Sequence, residues 1–243
     1  MNREYWDRQA DRWDDQIFDS LREDLRGVIK RAIRAAARRQ HDAVLDFGCG
    51  VGGYLPFLSR AFSRVHAIDW SAQCVTHARE RAAALANVTV ERNTPRALAR
   101  LRRRFGCVVA ANVVIHPDER ARRRLWLAMR GVVTRGATGI FVVPSLESAA
   151  YCEFVRRQTA PRQPSAYDFH PHMRRPEAGT VGIEGVPTKH YTEQELTATL
   201  VLGGFREPRL TRVHYAWATE GLTPPRRVRD QLPWDWLAVA RAV

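Results

Sequence analysis

Lysine is almost missing from this chain: of 39 basic residues, only Lys30 and Lys189 are lysines. Cysteine is scarce as well. Cys49, Cys74, Cys107 and Cys152 are widely spaced and form no CxxC pair, which excludes a zinc knuckle and a dithiol redox motif. They are expected to be buried thiols that pack as small hydrophobes. A chain of 243 residues buries about 70% of its unfolded surface, so it needs neither disulfide nor metal to fold. No apolar run approaches the roughly 18–20 residues that span a bilayer, so no membrane partner is expected. Met1 to Asp19 mixes acidic, basic and aromatic residues and lacks the apolar stretch of a secretory signal, so a cytoplasmic protein is expected. There is no internal repeat. With 45% hydrophobic and 27% charged residues the composition is that of a folded domain, not of a disordered or fibrous chain. The length fits a single domain, residues 1–243, carrying a cap.

Positive charge is concentrated. The net charge is +13, and between Arg92 and Arg135 there are 12 arginines against 2 acids, Asp118 and Glu119, a local excess of +10. Such a surface can attract phosphate, nucleic acid or acidic partners. No aromatic residue interleaves with the run at 100–104, as base stacking would require, so a solvated helical face is expected and nucleic acid is not the expected partner.

Periodicity divides the chain into alternating elements. Trp6, Ala10, Trp13 and Ile17 form a stripe on a short helix. Leu21, Leu25, Val28, Ile29, Ala32, Ile33 and Ala36 predict a helix over about 20–39, and together these make an N-terminal helical cap, residues 1–40. Strands are predicted at 43–48, 65–69, 88–91, 107–111 and 139–143, with helices between them. Ser71 is placed to cap one of these helices, and Asp118 begins another. Strands alternating with helices mean a parallel sheet covered on both faces. From Pro144 to Tyr191 the pattern is lost among Pro161, Pro164, Pro171, Pro176, Pro187 and several glycines, so residues 144–190 are read as a lid or substrate-binding insertion. A helix at 192–202 and strands at 209–217 and 234–240 close the chain.

The strongest chemical signal is AspPheGlyCysGlyValGlyGly at 46–53, between a strand and a helix. Glycines here let the backbone approach a nucleotide-like ligand. Gly48, Gly50 and Gly53 fit the GxGxxG dinucleotide fingerprint, whereas Gly48, Gly50 and Gly52 fit GxGxG. Asp46 discriminates: a carboxylate before the first glycine disfavours a pyrophosphate, and with it an NAD(P) oxidoreductase, and suits a ligand bearing an ammonium and a sulfonium. Asp69, at the end of the second strand, is placed to accept from ribose hydroxyls, and its carboxylate is expected to be hydrated in the ligand-free protein.

With these residues in view, the chain resembles the class I S-adenosylmethionine-dependent methyltransferases of the small-molecule type. ValLeuAspPheGlyCysGlyValGlyGly is similar to the family's first motif and HisAlaIleAspTrpSer to its second. PheGlyCysValValAlaAlaAsnValValIleHis resembles the fourth-strand motif, and TyrTrpAspArgGlnAlaAspArgTrpAsp at 5–14 the cap of small-molecule members. The resemblance implies a three-layer, Rossmann-like, doubly wound α/β sheet of seven strands, order 3-2-1-4-5-7-6 with strand 7 antiparallel. It also implies that the Arg-rich helices flanking strand 4 share one face. S-adenosyl-L-methionine is the implied cofactor. Asp46, Gly48, Gly50 and Gly52 would surround its methionine end, Asp69 the ribose, and Trp70 the adenine. Asn112 would lie below the sulfonium, with Trp13 closing over it. Where many members carry Gly-Asp, with the Asp holding the adenine amine, this chain has Asn93-Thr94.

The implied activity is methyl transfer to a small-molecule acceptor, with the protein positioning the acceptor and excluding water. A hydroxyl acceptor needs a base, and His116 and His190, both predicted at the carboxyl edge of the sheet, are the candidates. Asp168, His170 and His172 are the only residues grouped as metal ligands would be, and without a second cluster no metal is expected. A nucleic-acid or protein methyltransferase using the Arg-rich face, and a non-catalytic cofactor-binding subunit, remain the alternatives. The sequence leaves the oligomeric state open.

Overall fold

The β-branched and apolar runs of the sequence become the strands of one sheet, and the computed structural model describes residues 3–13, 17–39, 42–159, 167–168, 179–183 and 185–243. In chain order the strands are β1 (Ala43–Phe47), β2 (Arg64–Asp69), β3 (Val88–Arg92), β4 (Phe105–Ala111), β5 (Val133–Pro144), β6 (Tyr167–Asp168), β7 (Thr180–Ile183), β8 (Val186–Lys189), β9 (Phe205–His214) and β10 (Trp234–Ala242). The main sheet runs β3-β2-β1-β4-β5-β10-β9, and β6, β7 and β8 form a small sheet of their own. Neighbours from β3 to β5 are parallel, whereas β10 is antiparallel to both β5 and β9. Counting main-sheet strands in chain order gives 3-2-1-4-5-7-6 with the seventh antiparallel, the topology that the resemblance implies.

The helices are α1 (Arg3–Gln9), α2 (Ser20–Glu23), α3 (Val28–Ala37), α4 (Leu55–Ala61), α5 (Ala72–Ala82), α6 (Pro95–Arg100), α7 (Glu119–Val132), α8 (Leu146–Thr159) and α9 (Glu193–Leu202). Central strands are buried on both faces, because successive side chains point to opposite sides. Leu45, Ile68, Val108 and Phe141 pack with Leu101, Trp126, Met129 and Leu196 from α6, α7 and α9. Val44, Ala67, Val109 and Val142 pack with Ile29, Ile33, Leu58 and Ala78 from α3, α4 and α5. The Arg-rich helices α6 and α7 therefore lie on one face. Their arginines are not all solvated, however. Arg122 is buried and donates to the carbonyls of His116 (2.8 Å) and Pro117 (2.7 Å), and Arg130 donates to Gly204 O at 3.1 Å. The four cysteines are free and buried, as expected.

Three elements depart from the sequence pattern. The helix expected over 20–39 is two helices, because Gly27 adopts φ 62° and breaks the run. Asp24 repairs the break: its carboxylate accepts from Arg26 N (3.2 Å) and Ile29 N (2.8 Å), capping α3 where Gly27 has no side chain to do so. The insertion at 144–190 is not uniformly irregular, since its first part is α8. The buried face of that helix includes Ser148 and Glu153, polar residues that conceal the helical spacing. Ser148 Oγ accepts from Trp234 N at 2.8 Å, and Glu153 holds Arg156 and Arg157 at 2.7 and 2.6 Å. Pro161, Pro164, Pro171 and Pro176 lie outside the described residues. Finally, β9 begins at Phe205 and ends at His214, and Trp217 opens a 3-10 turn instead of ending a strand.

The Asp24→Ala variant should be destabilised by about 1–2 kcal/mol, the range for loss of a helix cap. At roughly 2–4 °C per kcal/mol for this size, its melting temperature should fall by about 2–8 °C. An unchanged melting curve would contradict the capping role.

Candidate functional site

A cavity of about 750 Å³ opens where β1, β2 and β4 end, at the carboxyl edge of the sheet. Parallel strands direct their last residues into this crevice, which is where α/β folds bind ligands. Asp46 near the end of β1, Asp69 at the end of β2 and Asn93 just after β3 all line the cavity, each further toward the carboxyl edge than the one before.

Asp46 and Asp69 are both buried, at 4% and 7% exposure. Asp69 is well held: Oδ2 accepts from Gly50 N (3.0 Å) and Oδ1 from Ser71 N (2.9 Å). The expectation of a hydrated carboxylate is thus corrected, because Asp69 ties the glycine turn to the start of α5. Burial raises its pKa, and the N–H groups of Ser71, Gly50 and Trp70 oppose that rise. Asp46 has less support. Its Oδ2 is buried with no hydrogen-bond partner among the described residues. Burial, and then the nearby Asp69 charge, push its pKa up to about 7.

Asn112 follows β4 with φ 56°, a left-handed conformation rare for a side-chain-bearing residue, and its Oδ1 is likewise buried and unpartnered. Asp46 and Asn112 therefore present two unpaired acceptor oxygens to the same cavity. Their natural complement is a ligand that is cationic and donates hydrogen bonds.

The glycine turn supplies the approach. Gly50 adopts φ 54°, and a Cβ there would run into the indole of Trp13. The cap thus rests directly on the turn, with Trp6 and Trp13 rings 5.8 Å apart. Asp7 accepts from Ser71 Oγ at 2.6 Å, and Asp11, in the 3-10 turn Ala10–Arg12, meets His77 of α5 at 3.0 Å, so α1 and the turn after it are fastened to α5 and its N-cap. Gly48 lines the cavity, whereas Gly52 lies behind it, packed toward Leu55 and Ala78.

The remaining sequence candidates are placed as follows. Trp70 stands at the rim, 41% exposed. Thr94 is absent from the lining and caps α6, its Oγ1 accepting from Ala97 N at 3.1 Å. His116 lines the cavity; its Nδ1 accepts from Asp118 N at 3.0 Å, so the neutral ring carries its proton on Nε2. Burial lowers its pKa. His190 is buried, donates Nδ1–H to Thr188 O at 3.1 Å, and is held down to a pKa of about 4 by burial; it is not among the lining residues. Asp168 falls in β6, and the side chains of Asp168, His170 and His172 lie outside the described residues. Among the described residues, no three His, Cys, Asp or Glu come together as metal ligands would, and no helix is long and apolar enough to cross a membrane.

The sequence reading missed part of the wall. Phe18, Asp19, Ser20 and Tyr54 line the cavity, with Tyr54 Oη and Ser20 Oγ 2.8 Å apart. Tyr54 directly follows the glycine turn, which was the available signal; Ser20 comes from a helix whose break the periodicity did not reveal.

Residues 44–136 match the model of a family described as a methyltransferase domain. The fold around them is that of known methyltransferase structures. The DhpI complex with SAM and HEP aligns with a TM-score of 0.59 at 19% identity, over 98% of this chain and 94% of that one. The 1,6-didemethyltoxoflavin-N1-methyltransferase of Burkholderia thailandensis, with bound 1,6-didemethyltoxoflavin and S-adenosylhomocysteine, aligns at 0.62 and 16%, over 99% and 87%. The magnesium protoporphyrin IX methyltransferase of Synechocystis PCC 6803, with bound SAH, gives 0.61 and 17%, over 99% and 98%. No curated protein sequence matches the chain. The matched segment runs from β1 to the start of β5 and includes Asp46, Asp69, Asn93 and Asn112, but neither the cap nor the insertion.

Two outcomes are expected. Asp69→Ala leaves the N–H groups of Gly50 and Ser71 without their acceptor, so the ligand-free protein should lose about 1–3 kcal/mol. Thermal melting should show it, and an unaltered melting temperature would remove the tie assigned to Asp69. The second concerns pH. A carboxyl whose folded pKa exceeds its unfolded value stabilises fully below the unfolded value, and that contribution is lost as pH rises through the folded one. For Asp46 the window runs from 3.8 to about 7. Stability should fall across this window, and Asp46→Asn should flatten part of the fall, leaving the share of Asp235, which burial also pushes up to about 7. Identical pH profiles for wild type and Asp46→Asn would contradict the placement of Asp46.

Proposed function

We propose that the protein transfers a methyl group from S-adenosylmethionine to a small-molecule acceptor. The observation that carries this reading is the unpartnered Asp46 carboxylate beneath a glycine turn, one strand away from Asp69. An ammonium at Asp46 gives the buried anion its missing partner, and a ribose at Asp69 finds a carboxylate already oriented by two backbone N–H groups. When bound, the cofactor supplies an electrophilic methyl carbon for in-line displacement.

The chain's own residues do the rest. Gly48, Gly50 and Gly52 keep the turn low enough for close approach, and Trp70 with Asn93 bounds the base, Thr94 serving only to cap α6. Asn112 offers its amide oxygen near the reacting centre, and Trp13 covers it. Trp6, Ile17, Phe18 and Tyr54 make an apolar, aromatic compartment that excludes water and suits a small organic acceptor. The two relatives named for a methyl-transfer reaction support this, since their names specify small-molecule substrates. His116 is the histidine that meets the acceptor, first as an Nε2–H donor; His190 would act as a base only by leaving its buried position. Trp6, Trp13, Ile17 and Phe18 of the cap close the acceptor side, and none of the described residues of the insertion lines the cavity.

S-adenosylhomocysteine at 100 times its dissociation constant should stabilise the protein by about 2.7 kcal/mol. That corresponds to a rise of about 5–11 °C in melting temperature, and NAD should give none. A shift with NAD and none with S-adenosylhomocysteine would overturn the reading.

A further inference from the structure

We infer that Asn93 sets the base specificity of this cavity, and that the protein accepts a 6-oxopurine cofactor about as readily as the 6-aminopurine one. The inference rests on the cofactor reading above. Asp46, Asp69 and Asn93 stand near the carboxyl ends of three adjacent parallel strands, spaced about 4.8 Å apart, so a ligand with its ammonium at Asp46 and its ribose at Asp69 brings its base to Asn93. The backbone there is fixed, because Asn93 N donates to Asp69 O at 2.7 Å. The side-chain amide faces the cavity and makes no hydrogen bond to the described residues.

Among the lining side chains at this end, Asn93 is the amide that can both donate and accept. Thr94 Oγ1 is committed to capping α6, and Asp118 Oδ1 to capping α7 through Ala121 N at 2.6 Å. The wall beyond is apolar, from Leu98 and Leu125, and the rim carries Arg120 and Arg124, which donate only. A carboxylate at position 93 would accept from a 6-amino group and leave a 6-oxo group facing an anion. An amide has both a donor and an acceptor, and a half-turn of its terminal torsion presents either one. Asn93 can thus accept from the amine of adenine or donate to the oxygen of hypoxanthine, and the arginines at the rim favour an acceptor group.

Titration calorimetry with S-adenosylhomocysteine and S-inosylhomocysteine tests this. Wild type should bind the two within about tenfold. Asn93→Asp should keep its affinity for S-adenosylhomocysteine and bind the 6-oxo ligand about 5- to 150-fold more weakly, the range for an acceptor left without its donor. Rejection of the 6-oxo ligand by wild type by 100-fold or more overturns the inference even if the variant does not fold. Equal binding of both ligands by a folded Asn93→Asp variant removes the role of Asn93. Failure of wild type to bind either ligand overturns the cofactor reading, and this inference with it; binding of S-adenosylhomocysteine alone overturns only the inference.

Discussion

Two carboxylates buried side by side at the ends of β1 and β2 are the constraint on which the site depends. Burial raises the pKa of each, and the charge of Asp69 raises that of Asp46 further. The fold resolves half of this tension internally, by giving Asp69 the N–H groups of the glycine turn and of the following helix. The other half is left open at Asp46. A buried group without a partner is expected at a site whose partner arrives from outside. The glycine turn, the strained backbone of Asn112 and the placement of Trp13 over Gly50 follow from keeping that carboxylate reachable and dry.

The cap and the sheet depend on each other. Trp13 occupies the space that a side chain at position 50 would take, so the cap packs directly on the turn that Asp69 holds. Asp7 and Asp11 fasten α1 and the turn after it to α5, the helix whose N-terminus Asp69 and Ser71 organise. Disturbing either carboxylate should therefore be felt in the cap, and loosening the cap should be felt in the cavity. The insertion joins from the other side. Lys189 N donates to Ile115 O at 2.8 Å and Tyr191 Oη to Val114 O at 2.7 Å, which ties the end of the insertion to the loop after β4 that lines the cavity.

The strands and the glycine turn were readable because their signals are local. Val44, Leu45 and Phe47 form a short apolar run that ends in glycine, and Ser71 and Asp118 cap their helices as their side chains allow. Residues that act at a distance were less readable. The hydrogen bond from Gly50 to Asp69 spans 19 positions, so the sequence showed a carboxylate but not its tie. The break at Gly27 was hidden because apolar spacing continues across it and Asp24 supplies the cap from five residues before Ile29. Helix α8 was hidden because it buries Ser148, whose partner Trp234 comes from a distant strand, and Glu153, which is paired within the helix by Arg156 and Arg157. Neither histidine could be sorted by its type. His116 reaches the cavity while His190 is turned into the protein, and only tertiary packing decides that.

The account stands or falls on whether Asp46 is the carboxylate that receives the ligand's cation. Calorimetric titration of S-adenosylhomocysteine at about pH 6, in two buffers of different ionisation heat, measures the protons released on binding. With Asp46 largely protonated in the free protein, pairing with an ammonium must drive its proton off, so wild type should release a fraction of a proton and Asp46→Asn none. The variant should also bind about 10- to 150-fold more weakly at pH 8, the range for a charge-assisted hydrogen bond. Equal affinity and equal proton release in the two proteins would show that the ligand does not meet Asp46, and would contradict the site described here.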